Sequence, residues 1–245
     1  YKENVVVKDK RLIVLSNDSD GEIILNGQNI GRPLTLEGST GLFLEGLTLT
    51  QGLANGGGGI YISSTGQTVL KKLTLYNNAS SGDGGGIYIG VNTNVTIEAC
   101  KIYNNESVSG GGGIYSVSDS TIINNTIIYK NSTQLDGGGI YTEEKLILMH
   151  STVALNSIPQ GGYGGGMIVS SGLDSILILN NIFYGNYSAG NNDLLGVYLS
   201  NGKIVAYNNY LQNDNASITL SRGSDNIYTD ENPFINVSNN NYQLI

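Results

Sequence analysis

The pentapeptide Gly84-Gly85-Gly86-Ile87-Tyr88 recurs along the chain. The other copies, intact at first and then decaying, are residues 57–61, 111–115, 137–141, 164–168, 196–198 and 227–228. Counted between the apolar residues Ile60, Ile87, Ile114, Ile140, Met167, Val197 and Ile227, the intervals are 27, 27, 26, 27, 30 and 30 residues. A period of this length is typical of a solenoid, a propeller or an array. The chain is therefore predicted to be a stack of like units.

Each unit also contains a second motif, in which an apolar residue is followed three positions later by asparagine. These asparagines are Asn78, Asn105, Asn131, Asn156, Asn186 and Asn213. Apolar residues alternate with other residues between the motifs, which is the period of a strand with one buried face. No helical period is visible, so one repeat is expected to hold two or three short strands with turns between them.

Residues that repeat at a fixed interval lie above one another when such units stack. Each strand then pairs in parallel with its copy about 4.8 Å along the axis. The glycines suit a tight turn in which positive φ costs little and a side chain would clash with the next coil. The asparagines suit a ladder of stacked amides. We therefore predict an all-β fold, a parallel β-helix of about eight to nine coils.

The repeat also sets the domain organisation, because a stack of like units is one continuous domain. Residues 1–245 are predicted to form a single domain. Within it, residues 1–52 form divergent N-terminal coils, residues 53–213 form the regular repeats, and residues 214–245 form a C-terminal closing segment.

Composition excludes several classes of function. The net charge is −8 and the only arginines are Arg11, Arg32 and Arg222, whereas nucleic-acid binding needs a basic stripe. No run of 18 apolar residues is present, so no segment is predicted to span a membrane. The single cysteine, Cys100, excludes an internal disulfide framework.

The pairing of Gly-Gly-Gly-Ile with apolar-x-x-Asn resembles the GGAI and FxxN repeats of chlamydial polymorphic membrane proteins. It is still more similar to the secreted right-handed β-helix repeat proteins of bacteria and archaea, whose first coils and closing segment resemble residues 24–52 and 231–244. The resemblance implies right-handed coils, as does the general rule for parallel crossovers. It also implies an extracellular or cell-surface location, since these families include adhesins, carbohydrate-active proteins and other surface proteins.

Enzymes with this type of fold use clustered carboxylates, with calcium and a basic residue or as a pair that flanks the scissile bond. Asp83, Asp136 and Asp193 share one column of the repeat, but Gly110 and Tyr163 interrupt it. Successive carboxylates would then lie roughly 10 Å apart along the axis, which is too sparse for a calcium site. We interpret these aspartates as solvated turn residues.

Other candidate groups also favour a structural interpretation. His150 is the only histidine, and a solitary histidine is usually structural or exposed. Cys100 is expected to be a small, buried, apolar residue. The glycine runs lack the Lys-Ser/Thr of a phosphate loop and recur in every coil. We predict no catalytic residue, cofactor or metal, and thus a non-enzymatic protein.

Two rows of tyrosines are predicted on the outer surface. The first row contains Tyr61, Tyr88, Tyr115 and Tyr141, continued by Tyr198 and Tyr228, and the second contains Tyr76, Tyr103, Tyr129 and Tyr184, broken at Ala154. In one interpretation the rings only strengthen contacts between coils. In the other, Tyr61 to Tyr141 and Tyr76 to Tyr129 form flat aromatic strips that bind a glycan or a partner molecule. The first is favoured, because the repeat alone produces aligned rings.

Nine Asn-x-Ser/Thr sequons occur in the chain, four of them at ladder positions that are expected to face inward. Glycosylation is therefore expected, in an organism that performs it, only at the others, which are Asn17, Asn94, Asn124, Asn215 and Asn236.

Three functions remain open. The first is a non-enzymatic surface scaffold, either an adhesin-like stalk or a filament subunit that joins head to tail through the open ends of the β-helix, since an interface that does not close gives an open assembly. The second is a carbohydrate-binding module that uses the tyrosines. The third, a polysaccharide lyase or hydrolase, lacks an acid–base cluster. The expected partners are another copy of the chain or a surface polysaccharide, and not nucleic acid.

Overall fold

The computed structural model is a β-solenoid in which strands of successive coils pair in parallel. It describes residues 1–2, 4–16, 22–38, 41–170, 175–189, 195–197, 203–207, 209–212, 222–224, 226–229, 234–236 and 241–244. These residues include no helix with the length and apolarity needed to cross a membrane.

The first sheet contains the strands that follow the glycine runs and, at its two ends, strands that no such run precedes. Its strands are β1 (Val5–Lys8), β4 (Leu34–Glu37), β8 (Ile60–Ser63), β12 (Ile87–Ile89), β16 (Ile114–Ser116), β20 (Ile140–Thr142), β24 (Met167–Val169) and β28 (Leu195–Val197). Ile60, Ile87 and Ile114 pair in register and are completely buried. Because strand residues alternate between faces, the tyrosine after each isoleucine points outward.

The register of the late coils corrects two positions of the predicted repeat. Met167 pairs with Leu195, and Val197 lies one pair further on, so Leu195 holds the apolar marker position. Positions two apart are equivalent in a period-two pattern, so alternation in the sequence does not distinguish residues 195 and 197. The strand that begins at Ile227 pairs with β30 of another sheet.

Each coil continues into a second and a third sheet. The second sheet contains β2 (Leu12–Leu15), β5 (Leu42–Glu45), β9 (Gln67–Lys71), β13 (Asn94–Glu98), β17 (Ser120–Asn124), β21 (Leu146–Met149), β25 (Ser175–Leu179), β29 (Lys203–Tyr207) and β31 (Arg222–Ser224). The third contains β3 (Ile23–Asn26), β6 (Leu47–Thr50), β10 (Thr74–Tyr76), β14 (Lys101–Tyr103), β18 (Ile127–Tyr129), β22 (Thr152–Ala154), β26 (Ile182–Tyr184), β30 (Tyr210–Gln212) and β32 (Ile227–Thr229).

A left-handed residue separates the second sheet from the third in successive coils. We call this bend the first corner. It is formed by Lys72, Ala99, Asn125, His150 and Asn180, whose φ angles are 51, 54, 49, 50 and 54°. One left-handed residue turns the chain sharply and ends the strand ladder on either side. The single second strand that the sequence predicts for each repeat is therefore two strands.

A short fourth sheet closes the coils. Its strands are β7 (Leu53–Ala54), β11 (Ala79–Ser80), β15 (Glu106–Ser107), β19 (Ser132–Thr133), β23 (Ser157–Ile158) and β27 (Tyr187–Ser188). Left-handed residues including Asn77 and Asn104 precede it, and we call this bend the second corner. A complete coil therefore has four strands, more than the two or three predicted.

The inward side chains of the three long sheets form one continuous apolar core. Within the described residues these sheets are eight, nine and nine strands deep, and the stack makes about seven full turns, fewer than the eight to nine coils predicted. An antiparallel pair, β33 (Phe234–Asn236) with β34 (Asn241–Leu244), follows the coils. The predicted all-β parallel solenoid with a repeat of about 27 residues is confirmed.

Candidate functional site

An asparagine ladder runs through the second corner, inside the stack. Its members are Asn78, Asn105, Asn131, Asn156 and Asn186, and none is more than 4% exposed. Asn105 Nδ2 donates to Asn131 Oδ1 and to the Leu75 carbonyl, both at 3.0 Å, and the Asn105 backbone N–H also donates to Asn131 Oδ1 at 3.0 Å. The ladder thus satisfies buried backbone groups that the bend removes from the sheets. Asn213 lies outside the described residues.

A second polar column lies at the first corner and was not predicted. Its members are Cys100, Thr126, Ser151, Asn181, Asn209 and Asn226. The backbone N–H of Cys100 donates to Thr126 Oγ1 at 3.2 Å, that of Thr126 to Ser151 Oγ at 3.1 Å, and that of Ser151 to Asn181 Oδ1 at 2.9 Å. The residue type changes from Cys100 to Thr126 to Ser151 and is constant only from Asn181 onward, so no single letter marks the whole column. In the coils from Ala99 to Asn180, the available signal is a hydrogen-bonding residue directly after the left-handed one.

Cys100 begins this column. Its side chain is 1% exposed, and its Sγ accepts a hydrogen bond from the Leu73 backbone N–H at 3.4 Å. Burial raises the pKa of the Cys100 thiol to about 12. The thiol is therefore protonated and unsuited to act as a nucleophile or metal ligand at neutral pH. The side chain is buried, as the sequence predicts, and it also accepts a hydrogen bond from the backbone of the first corner.

The first tyrosine row is a continuous stack of rings. Tyr61 and Tyr88 have centroids 5.0 Å apart, Tyr88 and Tyr115 5.3 Å, and Tyr115 and Tyr141 4.6 Å, with interplanar angles of 8, 12 and 11°. The guanidinium carbon of Arg32 lies 4.9 Å from the Tyr61 centroid. Neighbouring groups thus occupy the ring faces on which a sugar would stack. The row presents its ring edges and hydroxyls.

Carboxylates surround the hydroxyls of this row. Tyr115 Oη donates to Glu143 Oε1 at 3.1 Å, and Tyr141 Oη donates to the same oxygen at 3.4 Å. Burial is the main cause that raises the pKa of Tyr88 and of Tyr115, and the nearby carboxylates of Asp83 and Glu143 add to it. These phenols therefore stay neutral and act as hydrogen-bond donors at neutral pH.

The second tyrosine row is packed more deeply than the sequence predicts. Tyr76 and Tyr103 have centroids 5.2 Å apart, and Tyr103 and Tyr129 4.8 Å. Tyr129 is only 7% exposed, because it packs with Ala154 and with half-buried neighbours that include Tyr184. The alanine that interrupts the row lets these neighbours close over Tyr129. Its ring is therefore unavailable to a glycan.

The aspartates bind turns of neighbouring coils together. The Asp83 carboxylate accepts a hydrogen bond from the Gly110 backbone N–H, although burial raises its pKa. Asp136 Oδ1 accepts from the Tyr163 backbone N–H at 2.8 Å. Asp193 lies outside the described residues. Within the described ranges, no three His, Cys, Asp or Glu side chains come together closely enough to hold a metal ion.

His150 lies in a surface groove of about 470 Å³ that follows the first corner. Its Nδ1 is 3.2 Å from Asn124 Oδ1, and its Nε2 is 3.0 Å from Asn180 Nδ2. In these contacts the imidazole donates from Nδ1 to Asn124 and accepts at Nε2 from Asn180. The side chain is exposed, with its orientation fixed from both sides.

Comparison with known protein families agrees with this geometry. A family model described as a right handed beta helix region matches residues 10–183. The chain belongs to the right-handed β-helix family. The matched range includes the groove, the first row from Tyr61 to Tyr141 and the second row from Tyr76 to Tyr129, so the handedness expected from the sequence holds for this part of the β-helix. Comparisons with curated proteins and with solved structures gave no match.

The first coil of this right-handed β-helix carries an apolar cavity of about 270 Å³. Its lining residues are Tyr1, Val5, Val7, Leu12, Val14, Ile23, Leu25, Leu34, Leu44 and Leu47. The strands β1, β2 and β3 each occupy the edge of their sheet. The outward residues Val6, Ile13 and Leu15 are 60, 67 and 59% exposed. This coil therefore has an apolar inner side and also exposes apolar side chains on its outer side.

The predicted glycosylation sites differ in the exposure of their asparagine side chains. Asn94 is exposed at the start of β13, whereas Asn124 is half-buried and its Oδ1 contacts His150. For Asn236 only the backbone, in β33, is described. Asn17 and Asn215 lie outside the described residues. Asn94 is thus the sequon with the most accessible side chain among those described, and its glycosylation stays a prediction.

Proposed function

We propose that this β-helix is a non-enzymatic scaffold, outside the cell or on its surface, that holds an adhesin-like face in a fixed shape. One observation carries the proposal: polar columns and ring stacks run along the axis through consecutive coils. Asn78 to Asn186 bond coil to coil at one corner, and Tyr61 to Tyr141 stack on the first sheet. Repeated groups of this kind stiffen a solenoid along its length.

The candidate chemical groups also favour a scaffold over a lyase or hydrolase. Asp83 and Asp136 bind turns, Cys100 bonds a corner, and His150 lies between two amide side chains. An acid or base catalyst needs a proton-transferring atom directed at substrate. Each of these groups instead contacts a neighbouring coil. The tyrosine strips support glycan binding less well, because neighbouring groups occupy their ring faces.

Removal of one whole coil tests the scaffold. Deletion of residues 87–113 joins Gly86 to Ile114, which regenerates the glycine run and aligns Asn78 with Asn131. Because each coil contacts only its neighbours, we expect a cooperatively folded protein that is shorter by one rise, about 4.8 Å. Small-angle X-ray scattering and thermal unfolding measure the length and the stability.

Deletion of Thr96 alone is the matched control. It reverses the alternation of the following residues of β13, so that Ile97 faces outward and Glu98 faces the core. We expect this smaller deletion to prevent folding. A polysaccharide-cleaving activity that disappears with the whole-coil deletion contradicts the scaffold. Antibody labelling of intact producing cells tests the location, and labelling that appears only after lysis rejects it.

We propose head-to-tail assembly with a second copy as another candidate function, carried by the first coil. A coil stacked on this end covers the apolar lining of the cavity and pairs with the edge strands β1, β2 and β3. Apolar strand edges readily pair with another chain. An interface of this kind does not close and gives a filament.

Negative-stain microscopy tests the assembly. The wild-type chain is expected to form polymers whose length grows with concentration. Val14→Lys puts a charge on the cavity lining and is expected to abolish the polymers, whereas Ile13→Lys, on the outward side of the same strand, leaves them unchanged. A wild-type protein that remains a monomer at high concentration, or equal effects of the two variants, rejects the interface.

A further inference from the structure

The groove at the first corner extends over four consecutive coils. One side consists of the left-handed residues Ala99, Asn125, His150 and Asn180, and the other of Lys101, Ile127, Thr152 and Ile182. Four coils include three rises, which gives a length of about 14 Å along the axis. With a volume of about 470 Å³, the groove has the shape needed by a short stretch of an extended chain.

The side of the groove formed by the left-handed residues carries side-chain amide and imidazole groups, one in each successive coil from Asn125 to Asn180. Asn125, His150 and Asn180 are all exposed, and the His150 ring is held by Asn124 and Asn180. Within the described residues, the side-chain amide of Asn125 and the Oδ1 atom of Asn180 have no protein partner. These groups can donate to and accept from a ligand with many hydroxyls.

The opposite side of the groove offers small apolar surfaces. Ile127 and Ile182 are half-buried and pack on the cluster of Tyr129 and Ala154, so their positions are fixed. Thr152 lies between them along the axis. A ligand that fits this side must alternate apolar faces with polar edges at about the rise of one coil.

Two other classes of extended ligand fit the groove poorly. A peptide strand needs free backbone edges, but the backbone N–H groups of Asn125, His150 and Asn180 already donate to the next coil at 3.2, 3.0 and 3.0 Å. A nucleic acid needs several cations, whereas Lys101 is the only lysine or arginine in the lining of the groove.

We propose that this groove binds a neutral polysaccharide that lies extended along the solenoid axis, with about three sugar units in contact. The C–H faces of the sugars rest on Ile127 and Ile182, and their hydroxyls bond to the side chains of Asn125, His150 and Asn180. The proposal adds a binding site to the scaffold, apart from the stacked rings of the first tyrosine row. Its failure leaves the whole-coil deletion test of the scaffold unaffected.

Binding is measured by calorimetry and backbone-amide NMR with neutral hexasaccharides of β-1,4-linked glucose, xylose, mannose and N-acetylglucosamine. We expect at least one to bind and to shift the amide signals of the groove. The double variant Asn125→Gly, Asn180→Gly removes both amide side chains, while glycine keeps the left-handed backbone. We expect its affinity to fall about tenfold or more.

The matched control is Asn77→Gly, Asn104→Gly. These asparagines are also left-handed, with φ angles of 55 and 52°, but they lie at the second corner, outside the groove. We expect their replacement to leave affinity unchanged. The proposal is overturned if none of the hexasaccharides binds, if the control pair loses as much affinity, or if signals of the first tyrosine row shift instead of those of the groove. If an acidic oligogalacturonide binds more tightly than the neutral hexasaccharides, the proposal that the ligand is neutral is overturned.

Discussion

Gly112→Ala is expected to prevent the stack from forming, or to lower the free energy of unfolding by more than about 4 kcal/mol. A Cβ on Gly112 would lie 2.4 Å from the carbonyl oxygens of Gly138 and Ser132. Both oxygens belong to the backbone of the next coil. The coil has little room to withdraw, because the Gly112 N–H donates to the Gly137 carbonyl at 3.1 Å. Urea denaturation followed by circular dichroism measures the loss.

Gly56→Ala is the control, because it separates close approach from backbone conformation. Gly56 has φ of +77°, but a Cβ there meets only the Tyr88 ring, at 3.8 Å. Its replacement is expected to cost only the left-handed strain, about 1 to 2 kcal/mol. If the two variants lose the same free energy of unfolding, contact between coils is not the reason for the glycine run.

Asn131→Ala is expected to lower the free energy of unfolding by about 4 kcal/mol. The side chain accepts from the Asn105 backbone N–H and Nδ2, and it donates to the Ile102 carbonyl and to Asn156 Oδ1, each at 3.0 Å. Alanine leaves these buried groups without partners, and each such loss costs about 1 to 3 kcal/mol before relaxation. Chemical denaturation measures the stability, and hydrogen exchange is expected to accelerate at the Asn105 amide.

Asn94→Ala tests whether burial in the ladder causes the effect. Asn94 is exposed at the start of β13, so its replacement is expected to change stability by less than about 0.5 kcal/mol. A loss at Asn94 as large as the loss at Asn131 contradicts the ladder as the source of the stabilisation. Faster exchange throughout the protein, with no preference for Asn105, contradicts a local role.

The two polar columns differ in how well the sequence predicts them. Asn105 and Asn131 repeat the same letter at a fixed interval, so alignment of the repeat places them together. Cys100, Thr126 and Ser151 make equivalent bonds at the other corner with three different side chains. Any small acceptor satisfies a single backbone N–H, and over these three coils the sequence therefore has no constant residue to recognise.

Candidate binding surfaces depend still more on the neighbouring coils. The sequence predicts outward tyrosines, and Tyr88 does point outward, but only the stack reveals that rings lie against both of its faces. The burial of Tyr129 likewise depends on Ala154 in the next coil. The groove depends on the left-handed bend, which divides one predicted strand into two.

The sequence by itself determined the period, the parallel stacking, the inward isoleucines and the asparagine ladder. These follow from the spacing of residues along one chain, since equal intervals bring equal residues above one another. The tertiary structure alone decided the two corners, the register at Leu195, the coverage of the tyrosine faces and the groove beside His150. Each of these depends on which unlike side chains meet across coils, and such contacts have no period in the sequence.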